Sequence, residues 1–138
     1  MPRSPKLHKP DFLIDRSLGR YLIPLAITNL GYTVHTLASI YGERESQSVP
    51  DHIWLEEAGN RGLIVLTKDV AIRRNRLEIE AVGRFGVKLF VITTAKLTGE
   101  QQRDRIVANI HRIVQASRKP GPYIYGVYAK GLRQLWAP

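Results

Sequence analysis

The chain has 138 residues, of which 43% are hydrophobic and 24% charged, the balance of a soluble globular protein and not of a disordered one. It contains no cysteine, which excludes disulfide frameworks, zinc–thiolate sites, iron–sulfur clusters and thiol nucleophiles. Lys and Arg number 21 against 12 Asp and Glu, a formal charge of +9 that draws polyanions such as nucleic acid, an anionic membrane surface or an acidic protein.

Residues 1–10 carry four basic side chains or histidines among three prolines and no periodicity, so they read as a basic tail before one domain spanning 11–138. No apolar secretory segment follows Met1-Pro2-Arg3, and no apolar run nears the ~20 residues of a membrane span. The expectation is a cytoplasmic protein that does not engage a membrane.

Phe12-Leu13-Ile14 is a short apolar run ending at Asp15 and predicts a buried strand. Ser17 to Asn29 carries apolar residues at helical spacing, is interrupted by Pro24 and stops at Gly31. Tyr32 to Leu37 alternates with β-branched residues and predicts a second strand, and the polar stretch Tyr41 to Val49 predicts a loop. Pro50-Asp51 opens a helix that ends near Asn60-Arg61-Gly62. Leu63-Ile64-Val65-Leu66 is continuously apolar, as a strand covered on both faces is, and runs into Thr67-Lys68-Asp69. A basic helix, a strand over Val87–Ile92 and a long helix opened by the capping box Thr98-Gly99-Glu100-Gln101 follow. Tyr123–Tyr128 and Leu132–Trp136 read as a hairpin. Alternation of strand and helix predicts an α/β three-layer sandwich, its mostly parallel central sheet flanked by helices, with the working site at the carboxyl ends of the strands.

Three acids fall where that rule points. Asp15 ends the first strand, Asp69 follows the third, and Asp51 opens the helix feeding the third. Such carboxylates repel one another unless a cation joins them, and Mg²⁺ or Mn²⁺ takes oxygen ligands and retains waters for phosphodiester hydrolysis. Glu43, Glu45 or Glu56 would supply a fourth acid, and the hydroxyls of Ser17 and Thr67 would support the site. Each Asp also stands where a helix N-cap would stand, and a protein in which they are only caps is a non-catalytic RNA-binding module. A receiver-like phosphoacceptor domain also gathers acids at strand ends, but it needs an acidic pair after the first strand, and here Arg16 follows Asp15. Arg73, Arg74 and Arg76 crowd the segment after Asp69 and suit RNA phosphates.

Phe12–Gly19, Pro50–Ala58 and Leu63–Asp69 together resemble, in order and spacing, the acid-bearing segments of PIN-domain ribonucleases, and of the compact VapC-type toxins among them. The resemblance implies a PIN-like fold and an endoribonuclease dependent on Mg²⁺ or Mn²⁺, with Asp15, Asp51 and Asp69 as catalytic and metal-holding acids. It further implies the toxin of a toxin–antitoxin pair, a homodimer, inhibited by a cognate antitoxin and cutting single-stranded or loop RNA of the tRNA or rRNA class. The family's further acid after Thr-x-Asp is absent, since Val70 and Ala71 stand there.

Overall fold

A computed structural model describes residues 9–68, 74–94 and 96–138. They form an α/β sandwich around one six-stranded sheet. Its strands are β1 (Phe12–Ile14), β2 (Val34–Thr36), β3 (Ile64–Thr67), β4 (Lys88–Ile92), β5 (Tyr123–Tyr128) and β6 (Gly131–Trp136). The spatial order is β2-β1-β3-β4-β5-β6, parallel except for the antiparallel pair β5–β6. The expected C-terminal hairpin is that pair.

The helices are α1 (Leu22–Asn29), α2 (Leu37–Tyr41), α3 (Asp51–Asn60), α4 (Arg76–Phe85) and α5 (Gly99–Ser117). The period-2 alternation of the central strands divides the core in two. Phe12, Ile14, Ile64, Leu66, Phe90 and Ile92 point toward α1 and α5, where Ile23, Ile27, Ile106, Ile110 and Ile113 meet them. Leu13, Val65, Leu89 and Val91 point the other way, onto Trp54, Leu55 and Ala58 of α3 and Ala81 and Val82 of α4. Full burial of each such Leu, Ile or Val side chain contributes about 1.5–3 kcal/mol, so both faces of the sheet hold the helices in place.

Two local expectations are corrected. The helix predicted from Ser17 begins only at Leu22, because Arg16–Leu18 form a 3₁₀ turn that Gly19 ends at φ +82°, a left-handed conformation that suits glycine. Pro24 is then the third helical residue, where its missing N–H has no intrahelical acceptor to lose, so it neither kinks nor breaks α1. The strand predicted over Tyr32–Leu37 ends at Thr36, which caps the short helix α2 reciprocally with Ser39, and within the predicted loop 41–49 Glu45–Gln47 form a 3₁₀ turn. At Thr98 the expected capping box is present, with Gln101 closing it.

Parallel register aligns the strand ends. Ile14 lies between Thr36 and Leu66, and the Asp15 N–H donates to the Leu66 carbonyl at 3.0 Å. The chain leaves β1 at Asp15 and β3 after Thr67 on neighbouring strands at one edge of the sheet, and this places their side chains together.

Candidate active site at the carboxyl edge of the sheet

Asp15 is 4% exposed, beside Thr67, which is fully buried. Its Oδ2 accepts two hydrogen bonds, from Ser17 Oγ at 2.7 Å and from Thr67 Oγ1 at 2.8 Å. The two hydroxyl oxygens are 3.2 Å apart, and the Lys68 N–H donates to Ser17 Oγ at 3.1 Å. The turn at Arg16–Leu18 and the end of β3 thus grip one carboxylate oxygen from two sides. Burial raises the Asp15 pKa above its ordinary value. The Ser17 and Thr67 hydroxyls, which stabilise the ionised form, pull it down less than burial raises it, and the negative charge of Asp51 adds to the rise.

Asp51 is the first residue of α3, after Pro50 at the N-cap. Its Oδ1 accepts the indole N–H of Trp54 at 2.9 Å, which gives the fully buried tryptophan its polar partner. The Arg16 guanidinium stands 4.0 Å from the same oxygen and donates to the carbonyls of Gln47 at 2.8 Å and Val49 at 3.0 Å. Arg16 therefore ties the segment ahead of α3 to the turn that carries Asp15. Neither carboxylate is a helix cap in the usual sense. Asp15 stands at the N-cap of the 3₁₀ turn without a side-chain cap bond, and the described partner of Asp51 is an indole, not a free helix amide.

A half-open cavity of about 190 Å³ adjoins this edge, with Ile14, Arg16, Arg20, Leu37, Glu43 and Gln47 in its lining. Glu43 pairs with Arg20 across it. The arginines on this wall, Arg16 and Arg20, are site residues the sequence pattern did not single out. Their partners lie 23 to 35 positions away, so no local spacing marks them.

Of the other expected residues, Glu45 opens the 3₁₀ turn 45–47. Glu56 is exposed and lines a separate shallow cleft between α3 and α4 with His52 and Arg84. Arg74 and Arg76 are exposed at the start of α4, and Arg76 Nε donates to Glu80 at 3.2 Å. Asp69 and Arg73 lie outside the described residues. The expectation of Mg²⁺ or Mn²⁺ is corrected: among the described residues no group of three or more His, Asp or Glu is placed to hold a metal ion. Asp69 lies outside the described residues, and each described acid at this edge already has a partner on one carboxylate oxygen. Asp15 Oδ2 takes two hydroxyls, Asp51 Oδ1 takes an indole and faces a guanidinium, and Glu43 pairs with Arg20.

Comparison with known proteins bears on this arrangement. A family model described as a PIN like domain matches residues 10–94. Over 115 residues the chain is 38% identical to the protein named "Putative ribonuclease VapC45" of Mycobacterium tuberculosis (strain ATCC 25618 / H37Rv), covering 83% of each chain. No solved structure matches.

Proposed function

The chain belongs to the PIN-like domain family and is related to the VapC-type ribonucleases, and on that premise we propose that it is an endoribonuclease, the toxin of a toxin–antitoxin pair. Its substrate in this reading is single-stranded or loop RNA of the tRNA or rRNA class, and Asp15, Asp51 and Asp69 are its catalytic acids. The observation that carries the reading is Asp15: a buried carboxylate at the carboxyl end of a central strand, gripped by Ser17 and Thr67 and made more basic by burial.

A carboxylate in this state accepts a proton more readily than an exposed one. Asp15 takes the proton of the attacking water, whose oxygen forms the new bond to phosphorus. The bond from phosphorus to the 3′ oxygen breaks and that oxygen takes up a proton from solvent, leaving a 3′ hydroxyl and a 5′ phosphate. Ser17 and Thr67 keep the carboxylate in one orientation through the reaction. Asp51, held by Trp54 and Arg16, sets the local field. Arg73, Arg74 and Arg76 neutralise RNA phosphates. The proposed antitoxin presents acidic residues to these arginines, since complementary charge speeds and orients association.

The test is cleavage of RNA by the wild-type chain and by Asp15→Asn, with thermal melting of both. Asparagine keeps an oxygen acceptor for both hydroxyls but takes up no proton. Loss of cleavage in a folded variant supports the reading, and retained cleavage rejects it. Relief of growth arrest on co-expression with a neighbouring small gene product tests the toxin–antitoxin part.

A further inference from the structure

The opposite edge of the sheet carries a second concave surface. A cleft of about 370 Å³ opens between the chain entering β1, the start of β4 and the end of α5, lined by Lys9, Pro10, Tyr32, Lys88, Val114, Ser117 and Arg118. Its position follows from the topology. Lys88 is the first residue of β4, Lys9 precedes β1, and α5 runs back along the sheet so that Arg118 is its C-cap residue. All three therefore stand at the amino ends of the strands, whereas Asp15 stands at the carboxyl ends. The five residues of β4 separate the two edges by about 16 Å.

Three cations share this cleft, and among the described residues none of them is in an ion pair. The described ion pairs instead occupy Arg16, Arg20, His35, Arg61, Arg76 and Arg103. Asp11, the acid closest in sequence to Lys9, is turned to His35 at 3.0 Å. The Lys9 ammonium lies 5.5 Å from the centre of the Tyr32 ring, and Arg118 Nη1 donates to the neutral Gln115 side chain at 2.9 Å. The cleft thus gathers positive charge around a partly exposed aromatic ring. Like charges so placed repel one another, and a bound anion relieves that repulsion. Arginine and lysine around an aromatic ring are the elements that hold a nucleic-acid strand, by phosphate neutralisation and stacking. A further concave surface, of about 560 Å³ and lined by His111, Arg112, Gln115, Ala116 and Lys119, adds two more cations along the same end of α5.

We propose that this cleft is a second RNA site, in which Lys9, Lys88 and Arg118 bind backbone phosphates and Tyr32 receives a base, remote from the edge that carries Asp15. It rests on the ribonuclease reading only in the identity of the polyanion. Its consequence is a substrate long or folded enough to reach both edges, so that affinity comes from two separated contacts on one RNA.

The experiment measures binding of a long single-stranded RNA to the full chain as a function of salt. Every protein carries Asp15→Asn, and RNA integrity is checked on a gel. The double variant Lys88→Ala/Arg118→Ala is compared with a control, Lys130→Ala/Arg133→Ala, which removes the same charge at the β5–β6 hairpin. Each phosphate contact on a single strand contributes about 0.7 to the slope of log affinity against log salt, so the cleft variant lowers the slope by about 1.4. The control leaves it near the parent value. An unchanged slope in the cleft variant, or an equal fall in the control, overturns the proposal. So does competition by an acidic polypeptide at the cleft with no change in the RNA slope, which assigns the surface to a protein partner. An unchanged slope alongside lost cleavage in Asp15→Asn rejects the second site and leaves the nuclease reading. A lowered slope alongside retained cleavage does the reverse.

Discussion

Thr67→Val removes one hydroxyl from the Asp15 grip and keeps the side chain's shape. Thr67 Oγ1 donates to Asp15 Oδ2 at 2.8 Å, with Thr67 fully buried and Asp15 4% exposed. A hydrogen bond to a charged group contributes about 1.5–3 kcal/mol, against about 0.5–1.5 kcal/mol for a neutral pair. In the pH range where Asp15 is ionised, the variant loses the larger amount. For a chain of 138 residues that lowers the melting temperature by about 5–10 °C. At acid pH, where Asp15 is protonated, the loss shrinks toward the neutral figure. The Thr67 hydroxyl also pulls the Asp15 pKa down against the rise due to burial, so removing it moves that pKa further up. In the proposed mechanism Asp15 works ionised, and the acid limb of the cleavage–pH profile moves to higher pH. The assays are calorimetric melting of both proteins at two pH values and RNA cleavage across the acid range. A destabilisation below about 0.5 kcal/mol together with an unmoved acid limb refutes the claim that Thr67 holds and tunes Asp15.

Asp15→Asn removes a group whose pKa burial raises in the folded state. The folded protein binds that proton more tightly than the unfolded chain, so the stability it contributes is full below the unfolded pKa and is lost as pH rises through the folded value. Urea unfolding against pH therefore flattens over that window in the variant, and a profile identical to wild type rejects the assignment. In Arg16→Ala the carbonyls of Gln47 and Val49 lose their guanidinium and Asp51 loses its nearest cation. Amide exchange then rises over residues 45–51 while the core strands keep their protection, and uniform exchange changes contradict the clamp. Gly59→Ala places a Cβ against the Phe85 carbonyl oxygen and 2.7 Å from the Phe85 Cβ, forcing α3 away from α4. The denaturant midpoint falls by the equivalent of about 1–3 kcal/mol, and an unchanged midpoint contradicts that close approach.

Much of the sandwich is legible because its strands are marked by composition and its helices by caps. Ile64, Val65 and Leu66 are continuously apolar and lie between two helical layers. Thr98 and Gln101 announce α5 three positions apart and close the box they predict. What misleads is local pattern that tertiary geometry overrides. The apolar periodicity from Leu18 to Asn29 is real, and Leu18 does reach the core, but the 3₁₀ turn and Gly19 separate it from α1. The short helix α2 is too brief to carry a long apolar stripe and is closed by the Thr36–Ser39 cap, a signal masked because Thr36 also ends a strand.

The acids illustrate a different limit. That Asp15 ends a buried strand follows from Phe12-Leu13-Ile14, and that Thr67 lies next to it follows from β1 pairing with β3. Ser17 and Thr67 stand out as supporting hydroxyls because they lie two residues from Asp15 and Asp69 respectively. Their shared attachment to a single Asp15 oxygen is a property of the 3₁₀ turn, which brings Ser17 back over the strand end. The metal expectation fails for the same reason. Sequence spacing counts carboxylates at an edge but does not reveal which oxygens are already committed, and here two hydroxyls, an indole and two guanidiniums surround the described ones. Asp15 is consequently held by donors that favour its charge, within a burial that disfavours it more. A fold that keeps a carboxylate in that balance forgoes the stability a neutral side chain would give, and such a residue is expected where the ionised group has work to do.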